Sequence, residues 1–474
     1  MDEIQSLAAS TSAPHFPTIS HMTKSNMSSN QHCNNARPCL VPPHPDFYAR
    51  LQQHSNLIAP PAIAAHAQGH PSLSGRTGTH RGLNDGTIFP ESHFETSASS
   101  SRVSRAALEK TPLRGTIRAA IVLVDFSDKQ MTSGSTQYFQ ELFFSTGKIA
   151  TGSVTEYYTE VSGGKIALGG EVVGPLRMPH KLSYYANSDS GMSEAGPNAQ
   201  NLAADALTAA KSHINFGPYD NDGNGYVDAF VVVHAGSGAE ETASKNDIWS
   251  LKWLLPNATS IDGVKVYAFL TIPEDAKVGV CAHELGHLLF GWPDLYDIDY
   301  TSEGIGSWCL MAGGSWGGSP PGMQPCHPSA WCKVNQGWVD EVIDTTNQSI
   351  TLGAVENGRK VHRLWKNGNA SSQEYFLLEN RESIGFDKSL PGFGLLVWHI
   401  DDAEEDNHID NHYKLATSSA GRGDAGDPFP GRSDNTSFTS TSTPNSRSYV
   451  GQDTGVSITK ISPASAAMAM EIAV

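Results

Sequence analysis

His283-Glu284-Leu285-Gly286-His287 is the stretch that most constrains this chain. On an α-helix, residues four apart differ by about 40° around the axis, so His283 and His287 point the same way, one turn apart. Two imidazoles so placed can share one metal ion, and Glu284 lies beside them, within reach of a water on that metal. The pattern is short enough to arise by chance in a core helix, so its flanks matter. Thr271-Ile272-Pro273-Glu274 reads as a helix start, with Thr as N-cap and Glu274 at the capping-box position. Val278, Cys281, Ala282, Leu285, Leu288 and Leu289 give an apolar surface on most sides, and Gly291 with Pro293 stops the helix.

A catalytic zinc commonly takes three protein ligands and a water. Of the acids that follow, Asp294 comes first after the helix break, where the chain can fold back over the metal. It is the favoured third ligand, with Asp297 as its rival.

The chain has 474 residues, enough for two or three domains. Its formal charge, 32 − 49 = −17, argues against a nucleic-acid partner and suits bound cations. No apolar run is long enough to span a membrane. The N-terminal MDEIQSLAASTSAPHF has neither the basic start nor the apolar core of a signal peptide. Residues 1–112 are rich in Ser, His, Pro, Asn and Ala, with little apolar periodicity, and read as disordered or loosely packed. Within them Arg37 to Tyr48 stands out as a docking segment. Cys39 there is either a zinc-binding thiolate that holds an enzyme latent or, the plainer reading, a cysteine in an unstructured arm or a local disulfide with Cys33. Cys326 and Cys332 form a second candidate pair.

From Leu113 the chain is patterned for folding. Arg118 to Phe126 is a buried strand; Thr136–Phe144, Ser153–Ser162 and Asn198–Ser212 are helices; Ile166–Val173 is a strand. Strands alternate with helices through 113–345, and 346–474 is rich in strands, which gives an α+β class. Asp220-Asn221-Asp222-Gly223-Asn224-Gly225-Tyr226-Val227-Asp228 resembles the opening of an EF-hand loop: Asp220, Asp222, Asn224, the Tyr226 carbonyl and Asp228 can wrap one Ca²⁺. The acid expected at the twelfth position is absent, since Val231 stands there, and a polar turn leading into a strand is the plainer account. Met311 lies on a Gly-rich turn, 304–317; a Met so placed can floor a metal site or be ordinary core.

Taken together and in order, several stretches resemble the immune inhibitor A family of secreted zinc metallopeptidases. They are Leu123 to Asp128, Gly152 to Tyr158, the loop 220–228, His234 to Glu241, the H-E-L-G-H helix, Pro293 to Asp297, Leu310-Met311-Ala312, Tyr375 to Arg381 and Trp398 to Asp401. The resemblance covers about residues 115–474. It implies a zincin-type domain, a mixed sheet with an active-site helix, followed by a β-rich C-terminal part. It also implies zinc on His283 and His287, Glu284 as catalytic acid/base, calcium for stability, protein or peptide substrates, a removable N-terminal pro-segment (a zymogen) and an extracellular site of action. Relative to the family's spacing, Phe290 adds one residue before the glycine.

The expected reaction is endoproteolysis through an activated water, with Glu284 moving the proton. His399, Tyr413 or a tyrosine near the acidic turn can supply the oxyanion donor. Two other classes remain: a catalytically inactive, metal-stabilised binding or adhesive protein, and a zinc hydrolase of small amides or esters. The presence of Glu284 weighs against the first.

Overall fold

Eleven residues of near-continuous apolar and β-branched character, Gly115–Asp125, form an interior strand of a six-stranded sheet, next to one edge. The structure, a computed structural model, describes residues 38–47, 112–132, 134–193, 195–296, 304–402 and 425–474. All of these belong to one unit, Asn35–Val474. The strands of this sheet are β1 (Cys39–Leu40), β2 (Gly115–Asp125), β3 (Ile166–Arg177), β4 (Phe230–His234), β5 (Leu251–Ile261) and β6 (Val264–Pro273). Their spatial order is β1-β5-β6-β4-β2-β3. β3, β2, β4 and β6 run parallel, whereas β5 is antiparallel to β6 and β1 antiparallel to β5.

Helices α1 (Ser135–Phe144), α2 (Val154–Val161), α3 (Ala199–Ala210) and α4 (Val278–Phe290) belong to this half. The start of α2 is fixed by a capping box in which the Ser153 hydroxyl accepts from the Glu156 N–H and Glu156 accepts from the Ser153 N–H. Asn198 and Asn201 cap α3 in the same way. Both helices match expectation within two residues.

The region ahead of α4 differs from the sequence reading. Thr271 and Pro273 end strand β6 rather than capping a helix, and α4 begins at Val278 after Lys277. The Glu274 carboxylate accepts from the Gly236 and Thr132 N–H groups instead of closing a capping box. The β-pairing of Thr271 with Val232 and Leu251 overrides the local cap signal. The hairpin β5–β6 escaped the sequence reading, although Asp262-Gly263 at its turn, both at positive φ, is a strong hairpin signal.

The C-terminal half carries α5 (Ala330–Asn335) and two further sheets. One has the order β11-β10-β9-β7, from β7 (Asp340–Ile343), β9 (Lys360–Leu364), β10 (Glu374–Arg381) and β11 (Gly394–Asp401). The other has the order β12-β13-β8, from β8 (Gln348–Gly353), β12 (Ser457–Thr459) and β13 (Ala467–Ala473). A fully buried ionic cluster ties this half to the turn before Met311. Arg381 on β10 bonds Asp387 (Nη2–Oδ1 2.6 Å, Nε–Oδ2 2.8 Å), Glu379 (3.2 Å) and the Trp308 carbonyl (3.3 Å). Lys333 on α5 neutralises the other Glu379 oxygen at 2.8 Å. Buried charges this well matched persist because each has a partner; removing one partner strands the rest. No disulfide joins Cys326 to Cys332; Cys281, Cys309, Cys326 and Cys332 are buried thiols. Cys33 lies outside the described residues, as does most of 1–112.

Two predictions follow from the packing. In an exposed helix Gly→Ala is stabilising, but a Cβ on Gly279 would collide with the Ser315 carbonyl. Gly279→Ala is therefore expected to destabilise by about 1–3 kcal/mol, read as a lower thermal midpoint; an unchanged midpoint would mean that α4 is not seated there. His234 is fully buried at the end of β4, and burial lowers its pKa to about 4 from 6.5. The folded state thus disfavours the imidazolium. Its contribution is neutral above pH 6.5, turns destabilising as pH falls below that, and reaches roughly 3 kcal/mol near pH 4. His234→Phe should flatten the acid limb of a denaturant-stability profile over that window by this amount, and superimposable profiles would refute it.

Candidate metal centre

Every residue of α4 is buried, so its two histidines meet no solvent. The helix is anchored from outside by other elements. The Tyr158 hydroxyl on α2 bonds the Ala282 carbonyl at 2.6 Å, and the Gly279 N–H bonds the Gly322 carbonyl at 2.8 Å. At its far end Gly291 adopts the left-handed conformation, φ 62°, and its N–H reaches the carbonyls of Gly286 and His287. Phe290 packs its ring on Trp292, Trp338 and Tyr158 at centroid distances of 4.9, 5.0 and 5.3 Å. That packing fixes the exit of the chain, which then turns back over the helix.

The turn brings Asp294 onto the two histidines. Asp294 Oδ1 stands 3.1 Å from His283 Nε2 and 3.2 Å from His287 Nε2, and the two Nε2 atoms are 3.0 Å apart. The other ring nitrogens are spoken for: His283 Nδ1 lies 2.9 Å from the Leu310 carbonyl and His287 Nδ1 2.5 Å from the Trp292 carbonyl. A carbonyl only accepts, so each Nδ1 carries the proton and each Nε2 presents a lone pair. Two lone pairs and a carboxylate oxygen thus face one another in a buried space. Without a cation that arrangement is repulsive. Tetrahedral zinc, at about 2.0–2.1 Å from nitrogen, separates its donors by about 3.3 Å. The observed triangle is within a few tenths of that, and the imidazole-rich donor set suits zinc better than calcium. Burial lowers the His287 pKa against the pull of Asp294, which keeps Nε2 available as a donor.

Glu284 follows His283 on the helix and is not part of the triangle. It is fully buried; burial first, then the charges of Asp294 and Glu240, push its carboxyl well above the usual range. Neither of its oxygens makes a well-formed hydrogen bond, although the Val41 N–H faces it.

Met311 lies beneath the helix. A Cβ on Gly286 would stand 2.6 Å from the Met311 sulfur, so glycine inside the motif is what lets this turn approach. The same turn contributes the Leu310 carbonyl to His283, and the Met311 carbonyl accepts from the Leu295 N–H at 2.7 Å, which ties it to the segment bearing Asp294.

The remaining site candidates fall elsewhere. Asp220, Asp222 and Asp228 bring one carboxylate oxygen each within 4.8 Å of one another. Asn224 Oδ1 in that loop accepts from the Tyr226 N–H at 2.8 Å. His399 is not brought to the metal cluster: on β11 its ring stacks on Tyr449 at 3.9 Å and its Nε2 lies 2.9 Å from Glu374. Strand register, set by the pairing of Phe376 with His399, decides this, and spacing along the chain carries no sign of it. Asp297 and Tyr413 lie outside the described residues. Cys39 is buried in β1 and is not among the residues whose ligand atoms meet at His283, His287 and Asp294.

Sequence reasoning did not foresee how residues 39–44 are held. β1 adds an edge strand to β5, and polar groups around the cluster grip its backbone. The Tyr296 hydroxyl bonds the Leu40 carbonyl at 2.9 Å, Trp249 Nε1 bonds that of Val41 at 2.9 Å, and Trp316 Nε1 bonds that of Pro42 at 2.8 Å. The Val41 and His44 N–H groups donate to the carbonyls of Ser250 and Glu240. Glu240 is itself fixed by Ser250 through the hydroxyl at 2.5 Å and the N–H at 3.0 Å.

Residues 118–340 match the description "Immune inhibitor A peptidase M6, catalytic domain". An immune inhibitor A of Bacillus thuringiensis subsp. alesti is 38% identical over 203 residues, covering 36% of this chain and 29% of the relative. A pre-pro-metalloprotease, PrtV, of Vibrio cholerae serotype O1 (strain M66-2) is 30% identical over 271 residues, covering 46% of this chain and 29% of the relative. The match thus extends over less than a third of the length of these relatives. Helix α4, the turn to Asp294 and the Met311 turn all lie inside the matched segment, and residues 118–340 are similar to the catalytic domain of immune inhibitor A (M6) peptidases.

Proposed function

We propose that the protein is a zinc-dependent endopeptidase of the zincin type, acting on proteins or peptides outside the producing cell. One observation carries this reading: two Nε2 atoms and one carboxylate oxygen meet at 3.0–3.2 Å, with a further acid, Glu284, on the same helix. His283, His287 and Asp294 hold the metal. When bound, zinc lowers the pKa of a coordinated water toward neutrality and polarises the scissile carbonyl. Glu284 takes the proton of that water and passes it to the leaving amine. The backbone carbonyls of Leu310 and Trp292 keep both imidazoles in the required tautomer.

On this reading residues 113–345 are the catalytic domain, 346–474 the β-rich remainder of the peptidase unit, and 1–112 contain a pro-segment. The held segment 38–47 keeps the enzyme latent by covering Glu284 with its own backbone. It does so by strand addition to β5 and needs no thiolate on the metal. The loop 220–228 takes a structural calcium ion through Asp220, Asp222, Asn224, the Tyr226 carbonyl and Asp228. Among the described residues no helix is long and apolar enough to cross a membrane.

Two experiments bear on this. The first compares casein cleavage by the full-length, zinc-loaded chain before and after limited proteolysis within residues 48–111. Wild type should gain activity, whereas Glu284→Gln should retain one zinc and lose about 10²–10⁴-fold in kcat. Zinc without cleavage in any form would favour a metal-stabilised binding protein, and no zinc would refute the site. The second asks whether segment 38–47 enforces latency. Trp316→Phe removes the donor to the Pro42 carbonyl, a bond worth about 0.5–1.5 kcal/mol. It should raise the residual activity of the intact chain about 2- to 10-fold without raising the kcat of the proteolysed enzyme. An intact variant as silent as wild type would argue against latency by this segment.

A further inference from the structure

The held strand shows how the site receives a peptide group. β1 lies against α4 with Cys39 opposite Lys252 and Leu40 opposite Leu251. Its Leu40–Val41 peptide unit is gripped at both ends. The carbonyl oxygen accepts from the buried Tyr296 hydroxyl at 2.9 Å. The N–H donates to the Ser250 carbonyl at 3.2 Å and faces the Glu284 carboxylate. A peptide is therefore held with its oxygen on a phenol and its nitrogen beside the acid assigned to protonate a leaving amine. Tyr296 stands two residues beyond Asp294, so one short turn supplies both a metal ligand and this donor.

From this geometry we infer that Tyr296 is a catalytic residue of peptide hydrolysis: when a substrate chain replaces β1, its O–H donates to the carbonyl oxygen of the bond being cut. The inference rests on the peptidase reading above. In the addition step the water oxygen bonds to the carbonyl carbon, the π pair moves onto the carbonyl oxygen, and the water's proton passes to Glu284. In the collapse the pair returns, the C–N bond breaks, and that proton goes to the departing nitrogen. The bond from Tyr296 strengthens as its acceptor gains negative charge, so it favours the transition state over the bound substrate.

The competing account makes Tyr296 a latch for Leu40 and nothing more. The two differ once the segment has been displaced. Full-length protein is loaded with zinc, activated by limited proteolysis within 48–111 and assayed on a fluorogenic peptide as wild type, Glu284→Gln and Tyr296→Phe. The inference expects Tyr296→Phe to bind one zinc and melt as wild type does, to lose about 10²–10³-fold in kcat, and to keep KM within about threefold. An active wild type with an undiminished kcat in Tyr296→Phe overturns the inference and leaves the peptidase reading standing. A zinc-loaded wild type that cleaves nothing overturns the peptidase reading itself. Should the Phe variant lose zinc, Tyr296→His, which keeps a ring donor, is compared with Tyr296→Leu. A higher kcat in the His variant supports the inference and equal values overturn it.

Discussion

Three acceptor atoms pointing into one another, with no proton available to reconcile them, is the constraint on which the rest of the structure depends. His283 Nε2, His287 Nε2 and Asp294 Oδ1 are held 3.0–3.2 Å apart in a space from which solvent is excluded. Each imidazole directs its Nδ1–H to a backbone carbonyl. Those carbonyls, of Leu310 and Trp292, belong to segments on either side of the helix end. Any shift of the Met311 turn or of the Gly291 exit would therefore rotate a ring and spoil the donor set. The polypeptide around the helix acts as the frame that denies the rings this freedom.

That frame is built from close approaches and buried charge rather than from the helix's own propensity. Gly279 and Gly286 lower the intrinsic stability of α4 by about 1 kcal/mol each relative to alanine. They are present because a carbonyl of the 313–316 turn and the Met311 side chain come too near for a Cβ. The turn itself is held from the C-terminal half, where Arg381 bonds the Trp308 carbonyl and is neutralised by Asp387 and Glu379. The C-terminal sheets thus have a mechanical relation to the metal centre. A charge lost from that cluster would be felt two residues beyond Trp308, at the Leu310 carbonyl that orients His283.

The local chemistry was legible in the sequence wherever it depends on short-range spacing. The i, i+4 histidines, the stop at Gly291 and the first acid after it all act within a few residues, and a pattern records them. The start of α4 was misread because Thr271-Ile272-Pro273-Glu274 satisfies a local cap rule while β-pairing of Thr271 with two neighbouring strands satisfies more backbone groups. His399 was a reasonable donor by residue type, and only the register of β10 against β11 sets it beside Glu374 and Tyr449. The grip on residues 39–44 comes from Trp249, Tyr296 and Trp316, between 208 and 274 residues away in the chain. No periodicity encodes contacts at that range. Asp262-Gly263 was the one clear signal passed over.

The way that segment is held has a consequence for how the site can be selective. Its described bonds to the cluster's surroundings run through backbone: three carbonyls accept from side-chain donors and two N–H groups donate to carbonyls. A strand recognised in this manner gains affinity from backbone bonds that are indifferent to its sequence, to which the buried Leu40, Val41 and Phe47 side chains add. If the same groups receive a substrate, they will accept many sequences, and discrimination must come from whatever pockets flank β5. The intramolecular segment gains further from effective concentration. That advantage disappears once the tether is cut, so an edge strand that blocks the site in the intact chain need not inhibit when added back as a free peptide.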